Sequence, residues 1–167
     1  MIIADLPANE AERLEALRQL LCLDTPPEER FDRIVHYAAS EFDVPIVLLS
    51  LVDKDRLWFK AKVGIDFCET SRDTSMCSHA ILSDEPLVVP DTLKDPRFAD
   101  NPLVTGEFGI RFYAGAPLQT AADIRIGTLC LIDTKPREFD AVDTAILKTL
   151  RTLIVSELNN EIADPAG

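Results

Sequence analysis

Histidine and cysteine are scarce in this chain, with two of the first and four of the second in 167 residues. The cysteines Cys22, Cys68, Cys77 and Cys130 form no C-x-x-C pair, so no paired zinc pattern is present. A zinc site takes three or four protein ligands. Cys77 and His79 supply two, His36 is the only other histidine, and Asp73, Asp91 and Cys68 sit at no spacing that demands a third. No metal is therefore expected. Positive charge is also short: 17 Lys and Arg stand against 29 Asp and Glu, a net charge of −12. That balance disfavours nucleic-acid phosphates and anionic membranes as partners and suits a solvated acidic surface. No apolar run approaches membrane-spanning length, and the start MIIADLPANEAE has neither a basic nor a hydrophobic signal region. The protein is read as cytoplasmic, with its thiols reduced.

The chain does have hydrophobic residues, at 47%, enough for one domain with one substantial core, taken here as residues 1–167 with the core at about 21–160. Asn9 can cap a first helix, about 9–22, with Leu14, Leu17, Leu20 and Leu21 on one face. LDTPPEERFDRI starts a second, with Thr25 as cap, Pro26 at the first helical position and Glu28 completing a capping box. Phe31, Ile34, Val35, Ala38 and Phe42 follow as its apolar stripe, and His36 falls on the exposed side.

From Pro45 the period changes to two. IVLLSLVD sets Ile46, Leu48 and Val52 on one face and Val47, Leu49 and Leu51 on the other, so both faces must be covered. After the turn DKDR, LWFKAKVG returns antiparallel, with Leu57, Phe59, Ala61 and Val63 on one face and Trp58, Lys60 and Lys62 on the other. Trp58 either stacks on a ligand or covers a sheet or helix. SMCSHAILS is a short helix and PLVVP a short strand. DTLKDPRFADNPLVTGEFG is a long connection of the kind that forms lids and pocket walls. IRFYAGAPLQT and IRIGTLCLIDT make a hairpin around AAD. Ala114, Gly115 and Ala116 admit a close approach to the sheet, by a helix or a ligand. Asp140 caps a last helix, about 140–160, with a seam of Val142, Ile146, Leu150, Leu153, Ile154 and Leu158. Adjacent antiparallel strands flanked by helices define an α+β fold: a central, mainly antiparallel sheet with helices on both faces.

Cys77 and His79, two residues apart in TSRDTSMCSHAILSDEPLVVPD, invite a chemical reading. On a helix, residues i and i+2 point about 200° apart, so His79 is badly placed to activate Cys77. Cys77 then stands as a small buried side chain, a pocket wall, a redox thiol or a metal ligand. In the loop, Asp91, Asp95, Asp100 and Asn101 can cap turns, while Phe98 and Leu103 anchor it. Arg111 either binds a carboxylate or phosphate or pairs with a loop aspartate. The candidate ligand-binding set is Cys77, Ser78, His79, Phe98, Asn101, Arg111 and Tyr113, with an anionic small molecule as guest and no catalytic residue. The cofactor, if any, stays unknown.

The blocks LDTPPEERFDRI, DVPIVLLSLVDKDRLWFKAKVG, SMCSHAIL, PLVVPDTLKDPRFADNPLVTG, IRFYAGAPL and IGTLCLID, in that order from Leu21 to Leu158, resemble a GAF domain. The resemblance is to the bacterial type attached to histidine kinases and diguanylate cyclases. It implies a five- or six-stranded sheet, terminal helices on one face, and the loops of 75–109 over a ligand on the other. It also implies a sensory module that signals through its terminal helices to a kinase or cyclase, in cis or in trans. The chain lacks the Asn-Lys signature of cyclic-nucleotide-binding members and the Cys-His dipeptide of bilin-binding ones. It also lacks a kinase phosphoacceptor segment, a P-loop and a cyclase Gly-Gly-Asp/Glu-Glu-Phe block. The enzymatic alternative is a thiol-dependent free methionine-(R)-sulfoxide reductase. Cys68 and Cys77 match two of its three cysteines, but PRFADNPLVTGEFGIR, where the catalytic one falls, has none. The leucine stripe and the near-heptad seam suggest a homodimer through the terminal helices.

Overall fold

The computed structural model describes residues 1–163. Helices α1 (Glu10–Gln19) and α2 (Glu29–Phe42) lead into strands β1 (Ile46–Val52), β2 (Arg56–Val63) and β3 (Glu69–Ser71). A short helix α3 (Cys77–Ala80), strand β4 (Leu87–Val89) and a short helix α4 (Pro102–Thr105) follow. The hairpin of β5 (Phe112–Ala121) and β6 (Ile124–Asp133) precedes α5 (Ala141–Ala163). The six strands form one sheet in the order β3-β2-β1-β6-β5-β4, antiparallel at every step. The α+β expectation holds, and the strand number is six.

The alternation in β1 explains the layers. Val47, Leu49 and Leu51 enter a core shared with α1, α2 and α5, while Ile46, Leu48 and Val52 enter a second core under α3, α4 and the loops. Each large side chain buried there contributes roughly 1.5–3 kcal/mol. In β2 the expected alternation breaks. Ser50 pairs with Phe59 and Leu49 with Ala61, so Lys60 is an extra residue in the ladder. A one-residue bulge reverses the facing of everything beyond it. Leu57 and Phe59 face the loops as expected, but Ala61 joins Trp58 in the helix-side core and Val63 packs against it. Trp58 is thus a cover for the helices.

The bulge also undoes the capping box expected at α2. Lys60 has a fully buried side chain, and its ammonium takes Thr25 Oγ1 (2.7 Å), Pro26 O (2.8 Å) and the Glu28 carboxylate (2.7 Å). Thr25 and Glu28 serve this buried charge, and α2 starts only at Glu29. At its other end, Asp43 adopts a left-handed conformation. Arg137 then donates to the otherwise unmet carbonyls of Phe42 and Asp43, both at 2.7 Å.

Helix α1 keeps Leu14, Leu17 and Leu20 inward, but Leu21 lies beyond its end at positive φ and is 80% exposed. Asn9 makes no side-chain cap; its amide reaches Asp123 O at 2.7 Å. Instead α1 is tethered by buried charge. Arg13 donates to Val52 O (2.7 Å) and to Glu10, whose carboxylate also accepts from Arg72 (2.8 Å). In α5 the expected cap forms: Asp140 Oδ1 accepts from Asp143 N at 2.8 Å. Leu147, Leu150, Ile154 and Leu158 are buried, whereas Val142 and Leu153 are exposed.

Candidate functional site

The face of the sheet opposite α1, α2 and α5 carries a polar row in an apolar strand pair. On β6, Thr128 and Cys130 alternate with Leu129 and Leu131, which face the helices. Cys130 lies between Leu48 of β1 and Gly115 of β5, at the centre of the sheet. Over it sits α3, which lowers Cys77 onto the strand.

Cys77 Sγ accepts from Tyr113 Oη and from Thr128 Oγ1, each at 3.1 Å, and lies 3.9 Å from Cys130 Sγ. Ser50 Oγ is 4.0 Å from Cys130 Sγ. All five residues are buried. The Cys77 thiol is pushed up by burial, but the hydrogen bonds from Cys130, Thr128, Tyr113 and Ser50 outweigh this and bring it below the ordinary thiol value. The hydrogen bond to Cys77, together with burial, pushes Cys130 well up. Burial and the neighbouring sulfurs do the same to Tyr113, which stays a donor. Beside the thiol is a cavity of about 50 Å³ lined by Leu48, Phe59, Ser75, Cys77, Leu103 and Tyr113 among others. It has room for a few water-sized molecules.

The small run on β5 is filled from two sides. Ala114 and Ala116 face the helix-side core, against α5. Gly115 faces the loops, and Tyr113 folds over it: a Cβ there would lie 2.2 Å from Tyr113 Oη. The close approach to the sheet is made by a helix on one face and by the tyrosine ring on the other.

Of the seven predicted ligand-binding residues, Cys77 and Tyr113 come together at this cavity. The others serve the lid. Ser78 Oγ donates to Arg72 O at 2.8 Å. His79 stacks edge-on against the buried Phe98 and its Nε2 donates to Ile2 O at 3.0 Å, so the segment before α1 crosses the lid. Asn101 caps α4 by accepting from Leu103 N (2.9 Å) and donates to Thr74 O (3.0 Å). Arg111 donates to Val104 O (2.7 Å) and Ile110 O (3.1 Å), satisfying carbonyls where either an anion or an aspartate was expected. Asp91 and Asp95 cap turns, accepting from Leu93 N (3.1 Å) and Arg97 N (2.9 Å). Ser50, Thr128 and Cys130 escaped the sequence reading. Their signal was present: three small polar side chains within the apolar central stretches of two strands.

Cys68 is exposed, 3.6 Å from Lys62 Nζ, on the edge of the sheet. Among the described residues, no three His, Cys, Asp or Glu side chains are grouped to hold a metal, and no helix is long and apolar enough to cross a membrane.

Comparison with known proteins agrees with this geometry. The chain is 41% identical to a cyclic di-GMP phosphodiesterase of Pseudomonas aeruginosa over 96% of its own length, spanning 28% of that protein. The GAF domain of a phosphoenolpyruvate-protein phosphotransferase from Coxiella burnetii superposes with a TM-score of 0.68 at 17% identity, over 96% of this chain and all of that one. Free methionine-R-sulfoxide reductase from Neisseria meningitidis, solved with its substrate, gives 0.63 at 18% identity over 95% of both chains. The family model described as GAF domain matches residues 26–158, and the chain belongs to the GAF family.

Proposed function

We propose that this GAF domain is a sensory module, not a catalyst. A small molecule, with anions among the candidate guests, acts under the lid formed by α3, α4 and the loop between 91 and 109, and the terminal helices pass its presence to an output. One observation carries this reading: β6 touches both compartments, with Cys130 under the lid and Leu129 and Leu131 against the helices. A displacement on one face of the strand is felt on the other, because packed interiors transmit strain. A metabolite-sized guest would enter by displacing lining residues such as Leu103 and Ile110.

The output we propose is cyclic di-GMP turnover, on the strength of the 41% identical phosphodiesterase, in the same chain or in a partner. The module works as a homodimer. Leu14 and Leu17 are spent on their own core, so the pairing surface is α2 and α5, where Ile34, Tyr37, Thr149 and Leu153 line a groove of about 720 Å³.

Native mass spectrometry and an absorption spectrum of the purified chain, followed by a thermal-shift screen of small metabolites, test the sensor. The expected result is a bound molecule or a ligand that raises the melting temperature. The reductase fold likeness supplies the contrary outcome: methionine-(R)-sulfoxide turnover with a thiol donor, abolished by Cys77→Ser, would replace the sensor by an enzyme. No turnover is expected, because the loop that should bring the attacking thiol has no cysteine. Cys77→Ser should keep the fold.

A further inference from the structure

A core needs no thiol pair, and gathering three hydroxyls around two buried sulfurs is a costly way to fill it. Cys77 Sγ and Cys130 Sγ are 3.9 Å apart, two hydroxyls are aimed at the first, and a cavity sized for water-like molecules opens beside it. We propose that Cys77 and Cys130 form an oxidant-sensing dithiol, in which Cys77 reduces a small hydroperoxide held in the cavity and Cys130 closes the disulfide. The ligand class of the sensor is then a peroxide. This rests on the sensory reading above for its consequence, though not for its chemistry.

The steps balance. The Cys77 thiolate attacks one peroxide oxygen, so that an S–O bond forms and the O–O bond breaks. Sulfur is oxidised by two electrons, the peroxide is reduced, and the departing oxygen takes up the proton that Cys77 gave, leaving as water or an alcohol. Cys130 sulfur then attacks Cys77 sulfur: the S–S bond forms, the S–O bond breaks, and the hydroxide leaves as water with the Cys130 proton. Tyr113 and Thr128 are positioning residues. Their hydroxyls favour the thiolate over the thiol at Cys77, which agrees with the direction of its shift, while Cys130 remains a thiol until it attacks.

Closing the bond means shortening 3.9 Å to about 2.05 Å. The movement falls on α3. β6 is hydrogen-bonded on both sides within the sheet, whereas α3 is four residues long between irregular segments. Oxidation therefore draws α3 toward the sheet and takes the thiolate acceptor away from Tyr113 and Thr128. The lid moves with it, since Ser78 and His79 tie α3 to Arg72 and to the segment before α1.

The test uses the reduced purified chain and hydrogen peroxide at a few equivalents, with peptide mapping. The expected product is a Cys77–Cys130 cross-link, about 2 Da lighter than the reduced pair, and reversed by dithiothreitol. Cys130→Ser should stop at a Cys77 sulfenic acid, about 16 Da heavier and trapped by dimedone. Tyr113→Phe should slow the cross-link several-fold while leaving it formed. Oxidation confined to the exposed Cys68, with no cross-link in the folded wild-type chain, would overturn the proposal without reliance on any variant. Hydrogen exchange of α3 and α5 before and after oxidation separates the two readings. A cross-link that leaves exchange unchanged supports the dithiol and removes its sensory consequence. A metabolite found by thermal shift in a chain that never cross-links removes the dithiol and leaves the sensor.

Discussion

Tyr113 and Gly115 act as one unit on the loop side of β5, and their coupling can be measured. A methyl at 115 would meet Oη at 2.2 Å and Cζ at 2.7 Å, so Gly115→Ala must push the ring off the sheet. The expected cost is roughly 2 kcal/mol, as for other overpacked cores. In a Tyr113→Ala background the same change should be nearly neutral, a strong non-additivity in urea melts. Equal costs in both backgrounds would mean that the ring does not lie over Gly115. Tyr113→Phe keeps the ring and removes only the donor to Cys77, for about 1 kcal/mol. The Cys77 thiol should then ionise at higher pH, seen as a shift of thiolate absorbance in a pH titration of the folded chain.

At the scale of elements, α1 is held by charge as much as by its leucines. The Glu10 carboxylate sits between Arg13, almost fully buried, and Arg72. Burial raises its pKa, but the hydrogen bonds and charges of Arg72 and Arg13 outweigh that and lower it from 4.5. A carboxyl lowered in the folded state gives stability that is complete above its unfolded value. That stability is lost as pH falls through the folded one. The wild-type chain should therefore lose this contribution only on the acid side of 4.5. Glu10→Gln should lose it at every pH, about 3 kcal/mol, because a buried guanidinium is left without its partner. Melts from pH 7 downward should show the two proteins far apart at pH 7 and the gap narrowing only on the acid side of 4.5. A constant gap would assign the loss to packing. At α5, Asp140→Ala should cost about 1 kcal/mol through the bond from Asp143 N.

At the scale of the whole molecule, α2 and α5 present an apolar surface unused by the two cores. Tyr37, Val142 and Leu153 are exposed along α2 and α5, flanked by Arg30, Arg33 and Glu157. The proposed two-fold pair across this face would cover them and close without further growth. Light scattering should give twice the chain mass of 18.5 kDa, and Leu153→Asp should return it to the single value with the melting temperature little changed. A mass of one chain at all concentrations would show that the face serves something else.

The sequence by itself determined the order of the main elements, though neither β3 nor α4, together with the α+β class, both faces of β1, the cap of α5 and the anchoring of the long loop by Phe98. It did so because these depend on local periodicity and turn chemistry. The tertiary structure alone decided the bulge at Lys60, which depends on register with a neighbouring strand, and with it the facing of Ala61 and Val63. It decided that Thr25 and Glu28 serve a buried ammonium and not a helix start, since a side chain 32 residues or more away in the chain competes for them. The site followed the same rule. Cys77 was legible as a residue worth weighing. Its partner was not, because Cys130 is 53 residues further on and only the stacking of α3 over the centre of the sheet sets the two sulfurs side by side.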